Sequence, residues 1–394
     1  MKRGKILRVC HKFLVDDDGY DLDIRDLCES TSKEYTNYVT LFLEKSKIGQ
    51  YIKKNKLVRK DGILYHAGTR SYVIPIEYKA RYRNYLKDRH LTENAESFEN
   101  RFKEILEDVK PDIVHIHGTL APQFLEAAKQ GSKKSRVFAT HHIGLINQNY
   151  HNQSVRVLFS KYLTHNLMPA YCDKIICVSS HGKRSFLSKR KIVVINPVPK
   201  EKPYRKVATG TILRKNLLHN GFTLTKKDKM FLCPARFHEQ KNQLRLAKAF
   251  LKAAEKDERL KLVMAGAVRD EIYFNKVLSK IQGSSLKKKF CVLPGLSNDE
   301  LRSLLRETYC VITPSINEGL GRAAMEAVQA GIPVIASKDG GYPDFVKDGK
   351  NGILVNPYSQ RSIAMAIINL PELPRSDRLS HQRYIKKILK IYES

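Results

Sequence analysis

The stretch TPSINEGLGRAAMEAVQAGIPVIA, residues Thr313–Ala336, carries two glutamates, Glu318 and Glu326, on either side of a Gly-Leu-Gly turn. The preceding run Tyr309–Pro314 is short, apolar and rich in β-forming residues, whereas Arg322–Ala330 has helical composition. The glutamates therefore bracket a predicted strand-to-helix turn. Glu318 falls in the loop, and Glu326 falls two turns into the helix.

The spacing of these glutamates matches the dimensions of a nucleotide sugar. Eight residues at about 1.5 Å rise span roughly 12 Å, on the scale of the distance from a donor's sugar across its diphosphate to its ribose. The intervening N–H groups of Gly319, Leu320 and Gly321 lie at a helix N-terminus, which favours phosphate. The pattern predicts a nucleotide-sugar site. The alternative is that Glu318 caps the helix and that Glu326 is a solvated helix position.

The segment resembles the C-terminal signature of the family 4 glycosyltransferases, which are retaining enzymes of the two-Rossmann GT-B fold. Their Glu-x7-Glu element matches Glu318 and Glu326. The family continues, as here, with a buried strand, a Gly-rich turn and a match to Val346–Gly352. The resemblance is strongest over residues 230–357 and moderate over residues 1–200.

A second motif overlaps the signature, because Gly319-x-Gly321-x-x-Ala324 fits the dinucleotide-binding pattern G-x-G-x-x-G/A. That pattern normally closes the first strand of its domain, and a carboxylate normally ends the strand that follows. Here the motif lies far along the chain, and the next strand ends without Asp or Glu. A dehydrogenase is therefore disfavoured.

A basic turn in the second half supplies an anion site. Arg236 closes a predicted strand and Lys241 follows five residues later. The planar guanidinium of Arg236 and the ammonium of Lys241 can therefore bind the same anion. The resemblance implies that this pair holds the donor diphosphate, although the family usually has Gly where this chain has Ala235. The alternative is ordinary surface charge.

Three histidines follow predicted strands of the first half. The resemblance implies that a histidine contacts the transferred sugar, which we assign to His142, with His141 as the alternative because the spacing allows either. For His117, a structural hydrogen-bonded role and a functional role are equally compatible with the sequence.

The first loop departs from the family, which often has a Gly-Gly pair there. Only Gly19 remains, and Asp16–Asp18 would sit near a diphosphate, face the acceptor or bind a cation. Gly19 and Pro294 complete the donor-binding set that the resemblance implies.

Apolar runs alternate with helical segments along the chain, which predicts parallel sheets wrapped by helices. The predicted strands are Ile6–Cys10, Asn37–Phe42, Asp112–His117, Arg136–Thr140, Lys174–Val178, Ile192–Ile195, Met230–Arg236, Lys261–Gly266 and Phe290–Gly295. Helices are predicted at Ser97–Val109, Ala121–Gln130 and from Ser179 onward.

The proline-rich tract Asn196–Pro203 predicts a boundary between two α/β domains that face each other across a ligand cleft. We expect an acceptor domain at 1–197, a donor domain at 198–376, and an amphipathic helix at 377–394 that crosses back to the first domain. A membrane-surface role for that helix is the alternative.

Composition sets the remaining expectations. The 71 Lys and Arg against 40 Asp and Glu give a net charge of +31, spread over both halves, without a zinc, RRM or KH pattern. We expect no nucleic-acid partner, whereas peripheral contact with an anionic membrane is plausible. The seven scattered cysteines predict buried thiols in a reducing compartment, and no signal peptide or membrane span is recognisable, so we expect a cytoplasmic protein.

The resulting hypothesis is a retaining glycosyltransferase that moves a hexose-type sugar from a UDP- or GDP-sugar to a glycan, lipid or other hydroxyl acceptor. The resemblance implies front-face transfer with Glu318 orienting the sugar. Arg236 and Lys241 would stabilise the leaving diphosphate. No cofactor or metal is expected to be required. The alternatives are a catalytically inactive GT-B scaffold and a basic nucleic-acid-binding protein.

Overall fold

The computed structural model describes residues 2–10, 19–44, 48–54, 57–60, 63–66, 69–76, 91–118, 128–129, 134–142, 166–201, 205–373 and 379–394. The chain forms two compact units. Unit 1 consists of Met1–Pro197 and Gln382–Ser394, and unit 2 consists of Val198–His381.

Unit 1 is built on a sheet that has nine strands among the described residues. Their order is β3-β4-β5-β2-β1-β6-β7-β8-β9. The bounds are β1 Gly4–Cys10, β2 Tyr35–Glu44, β3 Val58–Lys60, β4 Ile63–His66, β5 Thr69–Ile76, β6 Ile113–His117, β7 Arg136–His141, β8 Lys174–Cys177 and β9 Ile192–Val194.

The sheet of unit 1 is parallel from β5 to β9 and antiparallel at one edge. Strand β4 runs antiparallel to both β3 and β5, whereas β2 pairs in parallel with β1 and β5. The short hairpin connections of residues 58–76 leave no room for a crossover helix, so antiparallel pairing is the geometry available to them.

Helices of unit 1, except the short polar helix Ser180–Arg184, bury apolar side chains within the unit. They are α1 Gly19–Thr31, α2 Ile48–Lys54, α3 Leu91–Val109, α4 Ser180–Arg184 and, at the end of the chain, α11 His381–Glu393. The apolar face of α11 is buried within unit 1 and consists of Tyr384, Ile385, Ile388, Ile391 and Tyr392.

A fully buried arginine links α11 to the sheet. Arg8, in the middle of β1, is 0% exposed. Its guanidinium donates to the Tyr392 hydroxyl at 2.9 Å, to Thr31 Oγ1 at 3.0 Å and to Asn37 Oδ1 at 3.2 Å. His115 Nδ1 lies 2.5 Å from the same Tyr392 hydroxyl. Neutral oxygens therefore satisfy a charge that burial would otherwise make costly.

Unit 2 has a six-stranded sheet and is described without a gap from residue 205 to residue 373. Its strands are β10 Lys229–Pro234, β11 Leu260–Ala265, β12 Phe290–Leu293, β13 Cys310–Thr313, β14 Val334–Ser337 and β15 Gly352–Val355. Its helices are α5 Thr209–Leu213, α6 Gln243–Ala254, α7 Glu271–Gln282, α8 Asn298–Arg306, α9 Arg322–Gln329 and α10 Gln360–Ile368.

Every pairing in this second sheet is parallel, and the strand order is β12-β11-β10-β13-β14-β15. The order reverses between β10 and β13, which lie side by side although they are not consecutive. Ligands of open α/β sheets bind at this reversal, beyond the carboxyl ends of the strands. The loops after β10 and β13 are therefore placed to share one ligand.

The apolar runs of the sequence correspond to strands, each within a few residues of its predicted bounds. The predicted helix Ala121–Gln130 lies outside the described residues except for 128–129. All seven cysteines are buried and none forms a disulfide, as their scatter predicted. Among the residues that the structure describes, no helix has both the length and the apolar character needed to span a bilayer.

Candidate active site

The turn after β10 presents Arg236 at the carboxyl edge of the unit 2 sheet. The Ala235 N–H donates to the Ala265 carbonyl at 2.9 Å, and the Phe237 N–H donates to the Ala267 carbonyl at 2.8 Å. Phe237 is buried while Arg236 is exposed. The backbone on both sides of Arg236 is thus fixed to the neighbouring β11 segment, and its guanidinium remains accessible to a ligand.

Gly266 is required at this position because the backbone of Ala235 and Arg236 approaches it closely. A Cβ atom at Gly266 would lie 2.3 Å from the Ala235 carbonyl oxygen and 2.9 Å from the Arg236 nitrogen. These are backbone atoms that cannot rotate away. The glycine therefore sets the position of the peptide that carries Arg236.

Lys241 ends a 3₁₀ turn, Glu239–Lys241, that stands before α6. The next residue, Asn242, has a left-handed backbone with φ 62° and is buried. Its side-chain amide donates to the Pro314 carbonyl at 3.0 Å and to the Pro357 carbonyl at 2.7 Å. Asn242 thereby ties the Lys241 turn to the loops that follow β13 and β15.

Glu318 lies in the loop after β13, and the Lys241 ammonium donates to its Oε2. The two side chains are only 14% and 18% exposed. Two further contacts join the same segments: the Ile316 N–H donates to the Gln240 carbonyl at 2.8 Å, and Gln240 Nε2 lies 3.4 Å from the Asn317 carbonyl. The structure thus brings together two residues that the sequence analysis placed separately at the donor.

A glycine pair holds the backbone of Glu318. The Gly341 N–H donates to the Glu318 carbonyl at 2.9 Å, and residues 318 and 340 form an isolated parallel bridge. Gly340 has φ 93°, and a Cβ there would lie 2.3 Å from the Glu318 carbonyl oxygen. Gly340 and Gly341, which form the Gly-rich turn of the signature, therefore have a direct structural role beside the first glutamate.

The helix N-terminus at Gly321 packs against a tyrosine that the sequence analysis missed. Gly321 has φ 88°, and a Cβ there would lie 2.1 Å from Cε1 of Tyr342. Burial, and secondarily the charge of Glu318, raises the pKa of Tyr342, so its hydroxyl stays protonated. Leu320 is buried and Gly319 is partly exposed. The tyrosine ring therefore forms the floor beneath the predicted phosphate-binding amides.

Glu326 sits one turn into α9, not two turns as predicted, because the helix begins at Arg322. It accepts from Arg322 Nε at 3.0 Å. The two side chains are 30% and 21% exposed, and they stand four positions apart on the helix. This spacing is a known signal for a helical ion pair, and it was present in the sequence. A carboxylate has about four lone-pair positions, so Glu326 can accept this bond and still accept hydrogen bonds from the two hydroxyls of a diol.

Pro294 follows β12, two strands from β10, and is partly exposed. The Gly266 N–H donates to the Leu293 carbonyl at 3.2 Å, so Pro294 lies beside the turn that carries Arg236. Gly19 begins α1 in unit 1. Asp16–Asp18, with the rest of the first loop, lie outside the described residues.

Of the three histidines singled out in the sequence, His117 ends β6, His141 ends β7 and His142 follows β7 directly. The rings of His117 and His142 are 5.9 Å apart, whereas His141 packs edge to face on Phe186 at 5.3 Å. Burial lowers the pKa of His142 to about 3, so its imidazole is neutral at physiological pH. His142 is partly exposed and His141 is buried. A neutral imidazole can donate to or accept from a sugar hydroxyl.

Among the residues that the structure describes, no group of three or more His, Cys, Asp or Glu side chains is arranged to hold a metal ion. Arg236 and Lys241 both lie between β10 and α6, beyond the carboxyl end of β10. The arrangement can orient polyhydroxyl and anionic groups at one sheet edge.

Two family models together match most of the chain. The model described as "Glycosyltransferase Family 4" matches residues 65–198, and the model described as "Glycosyl transferases group 1" matches residues 215–388. An uncharacterised glycosyltransferase of Methanocaldococcus jannaschii is 27% identical over 318 residues, which is 74% of this chain and 78% of the relative.

Solved structures share the fold at low sequence identity. The sucrose-phosphate synthase of Thermosynechococcus elongatus aligns with a TM-score of 0.71 and 17% identity, over 99% of this chain and 98% of that one. The Anabaena protein HepE, solved in complex with UDP and glucose, aligns with a TM-score of 0.64 and 15% identity over 99% of both chains. These likenesses show the GT-B fold, with its two parallel-sheet α/β domains.

Proposed function

The chain belongs to glycosyltransferase family 4, and from that premise we propose that it transfers a hexose-type sugar from a UDP- or GDP-sugar to an acceptor hydroxyl with retention of anomeric configuration. The observation that carries the proposal is the junction of Lys241 and Glu318 at the point where the strand order of the unit 2 sheet reverses. There a cation for phosphate and a carboxylate for sugar hydroxyls are held side by side.

The cations and the helix N-terminus suit a diphosphate leaving group. In the proposed reaction the bond between the anomeric carbon and the diphosphate oxygen breaks, and negative charge grows on the diphosphate. Arg236, Lys241 and the N–H groups of residues 319–321 would stabilise that charge more strongly in the transition state than in the bound donor. Because these groups supply fixed positive charge, the proposal includes no cofactor.

Glu318 has a different role in the proposal. Its carboxylate would accept from the donor's sugar hydroxyls, while Glu326 would accept from the ribose diol. The acceptor oxygen would bond to the anomeric carbon on the face that the diphosphate leaves, and the acceptor proton would pass to a diphosphate oxygen. His142, neutral at working pH, would contact the transferred sugar from unit 1.

The acceptor and the location are also part of the proposal. We propose a glycan or a lipid-linked molecule as acceptor, and a cytoplasmic protein in peripheral contact with the inner face of an anionic membrane. The net charge of +31 supports this contact, because a charge of this size attracts polyanionic surfaces. That UDP and glucose are bound by HepE, which has the same fold, supports a UDP-sugar as the first donor to test.

The test is mass spectrometry of purified protein incubated with UDP-, GDP- and ADP-sugars, which follows release of the nucleoside diphosphate. We expect turnover of one donor that Glu318→Ala and Arg236→Ala abolish. Glu307→Ala, an exposed glutamate at the end of α8, is the matched control and should retain full turnover. Donor binding without turnover would instead identify an inactive scaffold, and no binding of any donor would exclude the proposed function.

A further inference from the structure

A basic turn at the end of α4 carries exposed leucine. We call residues 183–191, with the sequence KRSFLSKRK, the basic tip. Leu187 at its centre is 72% exposed, and Leu167, on a neighbouring helical stretch, is 46% exposed. The Leu187 N–H donates to Asn166 Oδ1 at 2.8 Å, so the two leucines belong to one surface.

The basic tip is anchored on both sides of Leu187. Phe186 is buried and packs edge to face on His141 at 5.3 Å. The Lys191 ammonium donates to the Pro169 and Cys172 carbonyls, each at 2.9 Å. Leu187 is therefore presented outward by a fixed framework, although isolated exposed leucines on a protein surface usually need no explanation.

Cations without acidic partners surround this leucine. The basic tip has five Lys or Arg residues and no Asp or Glu. Arg184, Lys189 and Arg190 are exposed, and within the described part of the chain none of them forms a salt bridge. The nearest acidic residues along the sequence are Asp173 and Glu201, one on each side of the basic tip, and Asp173 already accepts from Lys129 and from the Val137 N–H. The surface is thus strongly positive around an apolar centre.

The basic tip connects α4, which follows the carboxyl end of β8, to the amino end of β9. It leads directly into β9, which runs parallel to β8 and β7. Phe186 contacts His141 at the carboxyl end of β7, whereas Lys189, Arg190 and Lys191 immediately precede the amino end of β9.

From this arrangement we infer that the basic tip docks unit 1 onto an anionic lipid surface, with Leu187 and Leu167 entering the headgroup layer while Arg184, Lys189 and Arg190 meet lipid phosphates. An exposed leucine flanked along the chain by exposed cations is the chemistry that such a surface recognises. Two leucines are too small for a stable protein interface, which buries about 800 Å² on each partner. This inference deepens the membrane contact proposed above and is independent of the transfer reaction.

The test is flotation of the full chain with vesicles of phosphatidylcholine alone or mixed with phosphatidylglycerol. We expect binding only to the mixed vesicles. Each cation removed near an anionic surface lowers binding by about fivefold, so Lys189→Ala/Arg190→Ala should lower the partition coefficient by about 25-fold. Lys252→Ala/Lys256→Ala, exposed on unit 2, makes the same change in net charge and should bind like the unaltered protein.

A second pair of variants tests whether the exposed leucine contributes to vesicle binding. Leu187→Ser should weaken vesicle binding several-fold, whereas Ile272→Ser, at an equally exposed position on α7, should not. Equal losses in the tip and control variants, or no loss in either, would overturn the inference. Binding to duplex DNA provides a further control. If Lys189→Ala/Arg190→Ala lowered DNA binding as much as vesicle binding, and Leu187→Ser lowered neither, the basic tip would be a nucleic-acid surface and the inference would be wrong.

Donor turnover in solution separates this inference from the proposed function. The tip variants should release nucleoside diphosphate at the rate of the unaltered protein, because the basic tip and the donor site lie in different units. Lost vesicle binding with intact turnover supports the inference. Intact vesicle binding by all tip variants overturns it, whatever the turnover shows.

Discussion

The ammonium of Lys241 donates to the carboxylate of Glu318, and this contact joins the loop after β10 to the loop after β13. Both side chains are more than four-fifths covered, so solvent screens the pair less than it screens a surface salt bridge. Each group holds the other in place. In the proposed reaction, a diphosphate and a sugar ring would bind to a cation and a carboxylate that are already oriented, which would lower the entropic cost of binding.

Removing either member of this pair should lower turnover strongly. Lys241→Met removes the charge that, in the proposed reaction, stabilises the leaving diphosphate, and we expect kcat/KM for the donor to fall on the order of a hundredfold to a thousandfold. Lys248→Met, an exposed lysine of α6, is the control and should leave kcat/KM unchanged. The rate of nucleoside diphosphate release measures both.

The effects of substituting Lys241 and Glu318 on kcat/KM should also be non-additive. Glu318→Gln in the Lys241→Met background should cost less than it does alone, because the bond between the two groups is already lost. Strictly additive losses in the double-mutant cycle would show that the contact has no part in donor binding or turnover.

Gly321→Ala should destabilise unit 2 through a collision with Tyr342. The added Cβ would lie 2.1 Å from the ring, so the tyrosine or the helix start must move, at a cost of about 1–3 kcal/mol. Gly295→Ala is the matched control, since Gly295 also has a left-handed φ, 73°, but nothing lies within 4 Å of its added Cβ. Thermal melting should show the larger loss for Gly321→Ala, and equal losses would mean that only the backbone conformation matters.

Local sequence patterns predicted most of this architecture because each strand of a parallel sheet is an uninterrupted apolar run. The run Cys310–Thr313 and the helix Arg322–Gln329 differ from their predicted bounds by one or two residues. The antiparallel edge formed by residues 58–76 was not predicted, since those short strands lack the alternation with helices on which the prediction relied. The helix that begins at Gly19 was likewise interpreted as the end of a loop.

The candidate site was predictable as a set of residue types but not as a set of contacts. Nothing local to Asn242 indicates that its amide reaches Pro314 and Pro357, 72 and 115 residues away along the chain. The bond between Arg8 and Tyr392, separated by 384 positions, is equally invisible in the sequence. Such contacts depend on how elements pack, whereas the Arg322–Glu326 pair depends only on helical spacing and could have been predicted.

Tyr392→Phe should destabilise unit 1 by about 1–3 kcal/mol, because buried Arg8 and His115 would lose the hydroxyl that both contact. Tyr358→Phe removes a hydroxyl that is 3.2 Å from Asp339 on a side chain that is 60% exposed. Water can replace that bond, so we expect a change below about 0.5 kcal/mol. Urea denaturation of both variants provides the comparison. A loss for Tyr392→Phe no larger than for Tyr358→Phe would show that the buried network does not stabilise the fold.

Unit 1 should lose stability as the pH falls below about 6.5. His115 and His117 are 0% exposed. Burial lowers the pKa of both well below its ordinary value, with a further contribution from the Arg8 charge. In the unfolded chain each histidine takes up a proton near pH 6.5, whereas in the folded unit it does not. The unfolded state therefore binds more protons below that pH. Stability is complete above the unfolded pKa and falls by up to about 1.4 kcal/mol per pH unit for each histidine.

Thermal melting between about pH 7 and about pH 5 measures this linkage. His117→Asn should reduce the pH dependence because it removes one of three histidines whose pKa burial lowers, the third being His142, even if it lowers the melting temperature at neutral pH. His219→Asn, at an exposed position in unit 2, should keep the slope of the unaltered protein. If His117→Asn and the unaltered protein lost stability in parallel over this range, acid sensitivity would have to come from groups other than the buried histidine, and His117 would be protonated in the folded unit.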